Sequence, residues 1–186
     1  MGAEKAAVDV AGSTMFDLVA AALRNGGCNS VVGIGASSRT FCDHIDDMYP
    51  GAGPLGGLLT ALNHATTQGA ERVVVLACDM PGLTGHVISA LLDAPGARDR
   101  IVVAEGHRIE PLCAAWPVAL ADAVSAMFNS GERSVAVVLD RLDPISVPIE
   151  PNALANVNTP EDLLNFIEAV PDRGHAGQAS RRDGLR

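Results

Sequence analysis

The chain has 186 residues, 48% of them hydrophobic and 19% charged, which is enough for one domain with a real core but not for two of ordinary size. No apolar run approaches the roughly 18 residues needed to span a bilayer, which argues against both a membrane protein and a membrane partner. A net charge of -9 and only 3% aromatic residues leave neither a basic stripe nor a stacking platform, so nucleic acid is excluded as a partner.

Reading in chain order, residues 14–26 form the first predicted helix, with Phe16, Val19, Ala20 and Leu23 on one face and Gly26-Gly27 as its stop. Residues 30–35 read as a short apolar strand. Residues 54–69 read as a helix entered through Gly53, and Arg72-Val-Val-Val-Leu-Ala-Cys78 is the clearest strand. Its β-branched residues are apolar on both faces, which predicts a central parallel strand. Residues 84–92 form a helix capped by Thr84. Strands follow at 100–104 and 111–116, then helices at 117–130 and 132–142, a strand at 145–149 and a last helix at 159–169. Residues 171–186 are polar, rich in Gly and Arg and aperiodic, and are expected to be a disordered tail. Strands alternating with helices predict an α/β domain over residues 1–170, with a mostly parallel sheet and helices on both faces. The scattered Cys28, Cys42, Cys78 and Cys113 and the absence of an apolar leader predict a reduced, cytoplasmic setting.

Ligands of such sheets bind beyond the carboxyl ends of the strands, which directs attention to three loops. Asp79-Met80-Pro81 puts a carboxylate at the end of a buried strand, where a hard cation such as Mg²⁺ takes oxygen ligands. A turn-forming Asp is the plainer reading, although Thr84 already serves as the cap. In the loop at residues 51–57, Pro54 suits the first helical position, and Gly53, Gly56 and Gly57 allow close approach of an anion to a helix N-terminus. Close helix–sheet packing explains those glycines equally well. In Asn156-Val157-Asn158-Thr159-Pro160-Glu161-Asp162, Thr159 and Pro160 start a helix, while the alternation aims Asn156 and Asn158 to one side. Asp46-Asp47 reads as a solvated pair. The five histidines have no metal-ligand spacing, and none is assigned a catalytic role.

In this order, MGAEK, GPLGG, LACDMP, EPLCAAW, GERSV and NVNTPEDL resemble the molybdenum cofactor guanylyltransferase family over about residues 1–170. The resemblance implies a Rossmann-like nucleotidyltransferase fold, cytoplasmic location and transfer of GMP from GTP to the phosphate of molybdopterin, with Mg²⁺ as cofactor and pyrophosphate released. It implies Asp79 as metal ligand and catalytic residue, and Lys5, the chain's only lysine, as a catalytic and GTP-phosphate contact. Asp47 and Gly33 would hold the nucleoside; Gly53, Gly56, Gly57, Asn156 and Asn158 would line the pocket. Molybdoenzymes or other cofactor-biosynthesis proteins are the protein partners it suggests. A related nucleotidyltransferase with another base or acceptor, or a non-catalytic pterin-binding remnant, are the alternatives. In the family an apolar strand and an L-A-G-G-x-S-x-R-M-G loop precede the lysine, whereas this sequence opens on Met1-Gly2. The expectation is therefore a chain of low stability or activity as written, with its length a lower bound on the working protein.

Overall fold

The computed structural model describes residues 9–10, 13–35 and 42–169. Lys5 and the tail at 171–186 lie outside the described residues. The strands are β1 (Asp9–Val10), β2 (Ser13–Thr14), β3 (Val32–Ile34), β4 (Asp43–Ile45), β5 (Arg72–Leu76), β6 (Val102–Glu105), β7 (Ile109–Pro117) and β8 (Ile145–Pro148). The helices are α1 (Met15–Asn25), α2 (Pro54–Thr67), α3 (Gly85–Asp93), α4 (Ala121–Asn129), α5 (Val135–Leu142) and α6 (Pro160–Ala169).

β1 and β2 form a small antiparallel hairpin, and β3 and β4 a parallel pair. The main sheet has the order β5-β7-β6-β8. β7 runs antiparallel to both β5 and β6, while β6 and β8 are parallel, so β5, β6 and β8 share one direction and β7 alone is reversed. The expected α/β class with helices on both faces holds. The expectation that residues 72–78 form a central parallel strand does not. Among the described residues, β5 lies at the edge of the sheet and pairs only with antiparallel β7. Val118 and Ala77 donate across that pairing to the Glu71 and Leu112 carbonyls. By antiparallel alternation, the main-chain groups of Arg72, Val74 and Leu76 then point away from β7. The strand is apolar on both faces because helices cover both faces, a pattern that does not report position within the sheet.

Period-two alternation divides the core into two layers. On one face Ala114 and Trp116 of β7, with Val103, pack against Leu55, Leu58, Leu59 and Leu62 of α2 and against α4 and α5. On the other face Cys113 and Ala115 of β7, with Val102 and Ala104, pack against Val87, Ile88 and Leu91 of α3 and Ala22 of α1. The expected single helix at 117–130 is a 3₁₀ turn, Val118–Leu120, followed by α4, and α5 begins at Val135 after the Ser134 cap. The apolar face of α1 also shifts from expectation. Met15, Val19, Ala20 and Ala22 are buried, while Phe16 is half-buried and lies 5.8 Å, ring to ring, from His44.

Candidate active site

α2 follows β4, leads the chain to β5 and packs against both β3 and β5. β3 and β4 are parallel, so their carboxyl ends lie on one side, the side from which the chain enters α2, and in open α/β sheets such strand ends bind ligands.

Asp79 follows β5 by three residues. Its Oδ1 is buried and accepts no hydrogen bond among the described residues. A buried acceptor without a donor costs free energy unless a ligand or cation meets it, so this atom suits a hard cation. Among the described residues no three His, Cys, Asp or Glu side chains cluster to hold a metal. Mg²⁺ accepts a shell of one or two carboxylates completed by phosphate oxygens and water. Thr84, expected to cap α3, occupies the N-cap position without a side-chain hydrogen bond.

The Asn156–Asn158 segment reaches the same place. Val157 is buried and donates its N–H to the Asp79 carbonyl at 2.8 Å. A Cβ added at Gly82 would stand 3.0 Å from the Asn152 carbonyl oxygen, so the loop after β5 lies directly against the 3₁₀ turn Pro151–Leu154. Asn156 and Asn158 flank the inward Val157, one half-buried and the other exposed. Asp162 then accepts from the Asn158 and Thr159 N–H groups at 2.9 and 2.8 Å, and its own N–H donates to Thr159 Oγ1. That box accounts for Thr159 to Asp162 as a helix start.

A second group surrounds the N-terminus of α2. Gly53 caps the helix at φ 76 and ψ -166, a region reserved to glycine. The helix offers fewer free donors than its glycines suggest. Pro54 has no N–H, and Gly56 and Gly57 both donate to the Gly53 carbonyl. A side chain at Gly56 would press on Tyr49 and Ala52, whereas no other element among the described residues comes within 4 Å of a Cβ at Gly57. Packing explains Gly56, and open space remains beside Gly57.

Asp47 is half-buried and joins this turn. Its Oδ1 accepts from the Tyr49 N–H at 2.9 Å and from Thr60 Oγ1 at 3.1 Å. Asp46 is the exposed member of the pair, so the reading of both as solvated holds only for Asp46. Gly33 sits within the β3–β4 ladder opposite His44, and its missing side chain makes room for Phe16 and His44, at 2.7 and 2.8 Å from a built Cβ. Gly35 is the glycine beside Asp47: a Cβ built on it would stand 3.5 Å from the Asp47 Cβ. Sequence reasoning missed Gly35, Tyr49 and Thr60. The one available signal was the lone hydroxyl in the apolar run Leu58-Leu59-Thr60-Ala61-Leu62.

The MobA-like NTP transferase domain model matches residues 1–145. The chain belongs to that family. It is thus a nucleotidyltransferase by descent, and its relatives carry the same name in more specific form. A molybdenum cofactor guanylyltransferase of Sinorhizobium fredii is 33% identical over 182 residues, covering 88% of this chain and 83% of the relative. The crystal structure of molybdopterin-guanine dinucleotide biosynthesis protein A from Archaeoglobus fulgidus is 26% identical, with a TM-score of 0.71 and 89% of each chain covered. A 2-C-methyl-D-erythritol 4-phosphate cytidylyltransferase from Thermus thermophilus, 18% identical with a TM-score of 0.69 over 89% of this chain and 93% of that one, shares the fold. Among the described residues no helix is long and apolar enough to cross a membrane.

Proposed function

We propose that this chain transfers GMP from GTP to the terminal phosphate of molybdopterin, in a Mg²⁺-dependent reaction that releases pyrophosphate. The observation that carries this reading is the partnerless buried Oδ1 of Asp79, at the carboxyl end of β5 and beside the Asn156–Asn158 segment. The guanylyltransferase name of the relatives supports the choice of base and acceptor.

An acceptor phosphate oxygen forms the new bond to the α-phosphorus of GTP while the bond to the bridging α,β-oxygen breaks, and its electron pair leaves with pyrophosphate. The step needs positioning and charge neutralisation rather than a covalent nucleophile. Asp79 would hold Mg²⁺, which when bound supplies positive charge beside the phosphates. Lys5 would add a second cation at the phosphates. Asp47 presents its second carboxylate oxygen, an acceptor for ribose hydroxyl or base N–H donors. The space beside Gly57 admits the nucleotide to the positive end of the α2 dipole. Asn156 and Asn158 would offer amide hydrogen bonds to the pterin side.

Pyrophosphate release with GTP, CTP, ATP and UTP, with molybdopterin as acceptor, tests the assignment. GTP should be preferred, and Asp79→Asn should lower turnover about 10²-fold or more, the scale of losing one transition-state charge contact. A preference for CTP, or an Asp79→Asn variant as active as the parent, would overturn it.

A further inference from the structure

Among the described residues one polar side chain is fully buried: Thr60, 1% exposed on the inner face of α2. Its hydroxyl lies 3.0 Å from the Gly56 carbonyl one turn earlier, an ordinary resting place for a helical threonine. Thr66 makes the same bond to Leu62 at 2.9 Å and does nothing more. Thr60 differs in what else meets it. Its oxygen accepts the Met48 N–H at 3.1 Å, and Asp47 Oδ1 stands 3.1 Å away as a second acceptor for its single proton. One hydroxyl therefore ties the loop after β4 to the first turn of α2.

We propose that Thr60 is a positioning residue for the nucleotide pocket: it locks the Asp47 carboxylate so that one oxygen is spent inside the protein and the other is presented to the ligand. The inference rests on the reading of the site as a GTP pocket. Oδ1 takes both internal donors, the Tyr49 N–H and the Thr60 hydroxyl, and Oδ2 has no partner among the described residues. A carboxylate oxygen only accepts, so the ligand groups complementary to Oδ2 are hydroxyl or N–H donors of a nucleoside, not phosphate oxygens. The Gly56 carbonyl stands 3.0 Å from the same oxygen and competes for its one proton, so the hydroxyl lies between the carboxylate and the glycine turn. Without that hydroxyl, the Met48 N–H loses its acceptor and the carboxylate is free to rotate about the bond that Tyr49 still holds.

Thr60→Val keeps the shape and removes the hydroxyl, and Thr60→Ser restores it. Two readouts are taken on each variant: amide hydrogen exchange at Met48 and Tyr49, and the KM and kcat for GTP in pyrophosphate release. In Thr60→Val, exchange at Met48 should rise about tenfold and KM for GTP about tenfold, the scale of one lost hydrogen bond. The kcat should stay within about twofold, because a nucleoside contact distant from the α-phosphorus is made equally in ground and transition states. Thr60→Ser should return both readouts to parental values. Unchanged exchange in Thr60→Val would overturn the clamp, and faster exchange with unchanged KM would overturn its link to the pocket. A lowered kcat with a constant KM would mark mere loss of folded protein and would also overturn it. A parent protein that turns over no GTP would fail the functional reading itself and is distinguished from these results because it needs no variant.

Discussion

Gly57 is the fourth residue of α2, and among the described residues a methyl group added there would meet no other element within 4 Å. Glycine within a helix costs about 0.8–1.0 kcal/mol relative to alanine, because its unfolded chain has more freedom to lose. With no clash to offset the gain, Gly57→Ala should stabilise the free protein by about 1 kcal/mol, a rise in Tm of about 2–4 °C for a chain of this size. The same methyl would occupy the space through which GTP is proposed to approach, and KM for GTP should rise about tenfold, equivalent to about 1.4 kcal/mol. One substitution would therefore move stability and binding in opposite directions. Gly53→Ala is the internal contrast. Among the described residues it too meets no other element within 4 Å, but its φ of 76 and ψ of -166 penalise any side chain by about 1–3 kcal/mol, so its Tm should fall. Differential scanning calorimetry and the pyrophosphate-release assay read the two effects separately. A lower Tm for Gly57→Ala would refute the packing argument. A higher Tm with unchanged KM would refute the approach of nucleotide at this turn.

Arg72 on β5 donates from both terminal nitrogens to the Leu92 and Leu91 carbonyls, at 2.9 and 3.5 Å, in the last turn of α3. Arg72→Met should cost about 1–2 kcal/mol through the lost charged cap, read as a lower denaturation midpoint with unchanged m; an unchanged midpoint would show that solvent caps those carbonyls equally well. Burial pushes the Cys113 thiol up to about 12, with the Glu110 charge adding to the effect. The native thiol should therefore resist alkylation at pH 8 and react only on unfolding, and alkylation at the rate of an exposed cysteine would contradict that burial. The linked stability is present below the ordinary thiol pKa of about 8.5 and is lost as pH rises through about 12, because the unfolded state gives up its proton first.

The candidate site was legible where one short segment carries both its chemistry and its local geometry. Asp79 after an apolar strand, Pro54 opening a helix and Thr159 with Asp162 closing a capping box are local patterns, and each is found where its pattern put it. Asp47 and Thr60 belong to another kind. They are 13 residues apart and meet only because α2 folds back over the loop that precedes it. The Gly33 contacts with Phe16 and His44 likewise join three separate elements, and no single window of sequence shows that this glycine makes room for two rings. A buried hydroxyl also reads as an ordinary helix residue until its partners are known.

Alternating short apolar strands and amphipathic helices determined the α/β class by themselves, because a period of two or of 3.6 residues is a local property that each segment carries wherever it is placed. Tertiary structure alone decided the neighbours. β5 reads as a central parallel strand from its composition, yet among the described residues it pairs only with the reversed β7; helices on both faces demand the same apolar residues at a sheet edge as at its centre. The site was decided in the same way. The Thr60–Asp47 and Val157–Asp79 hydrogen bonds join residues far apart in the chain, and hydrogen bonds between distant segments leave no periodic trace in sequence.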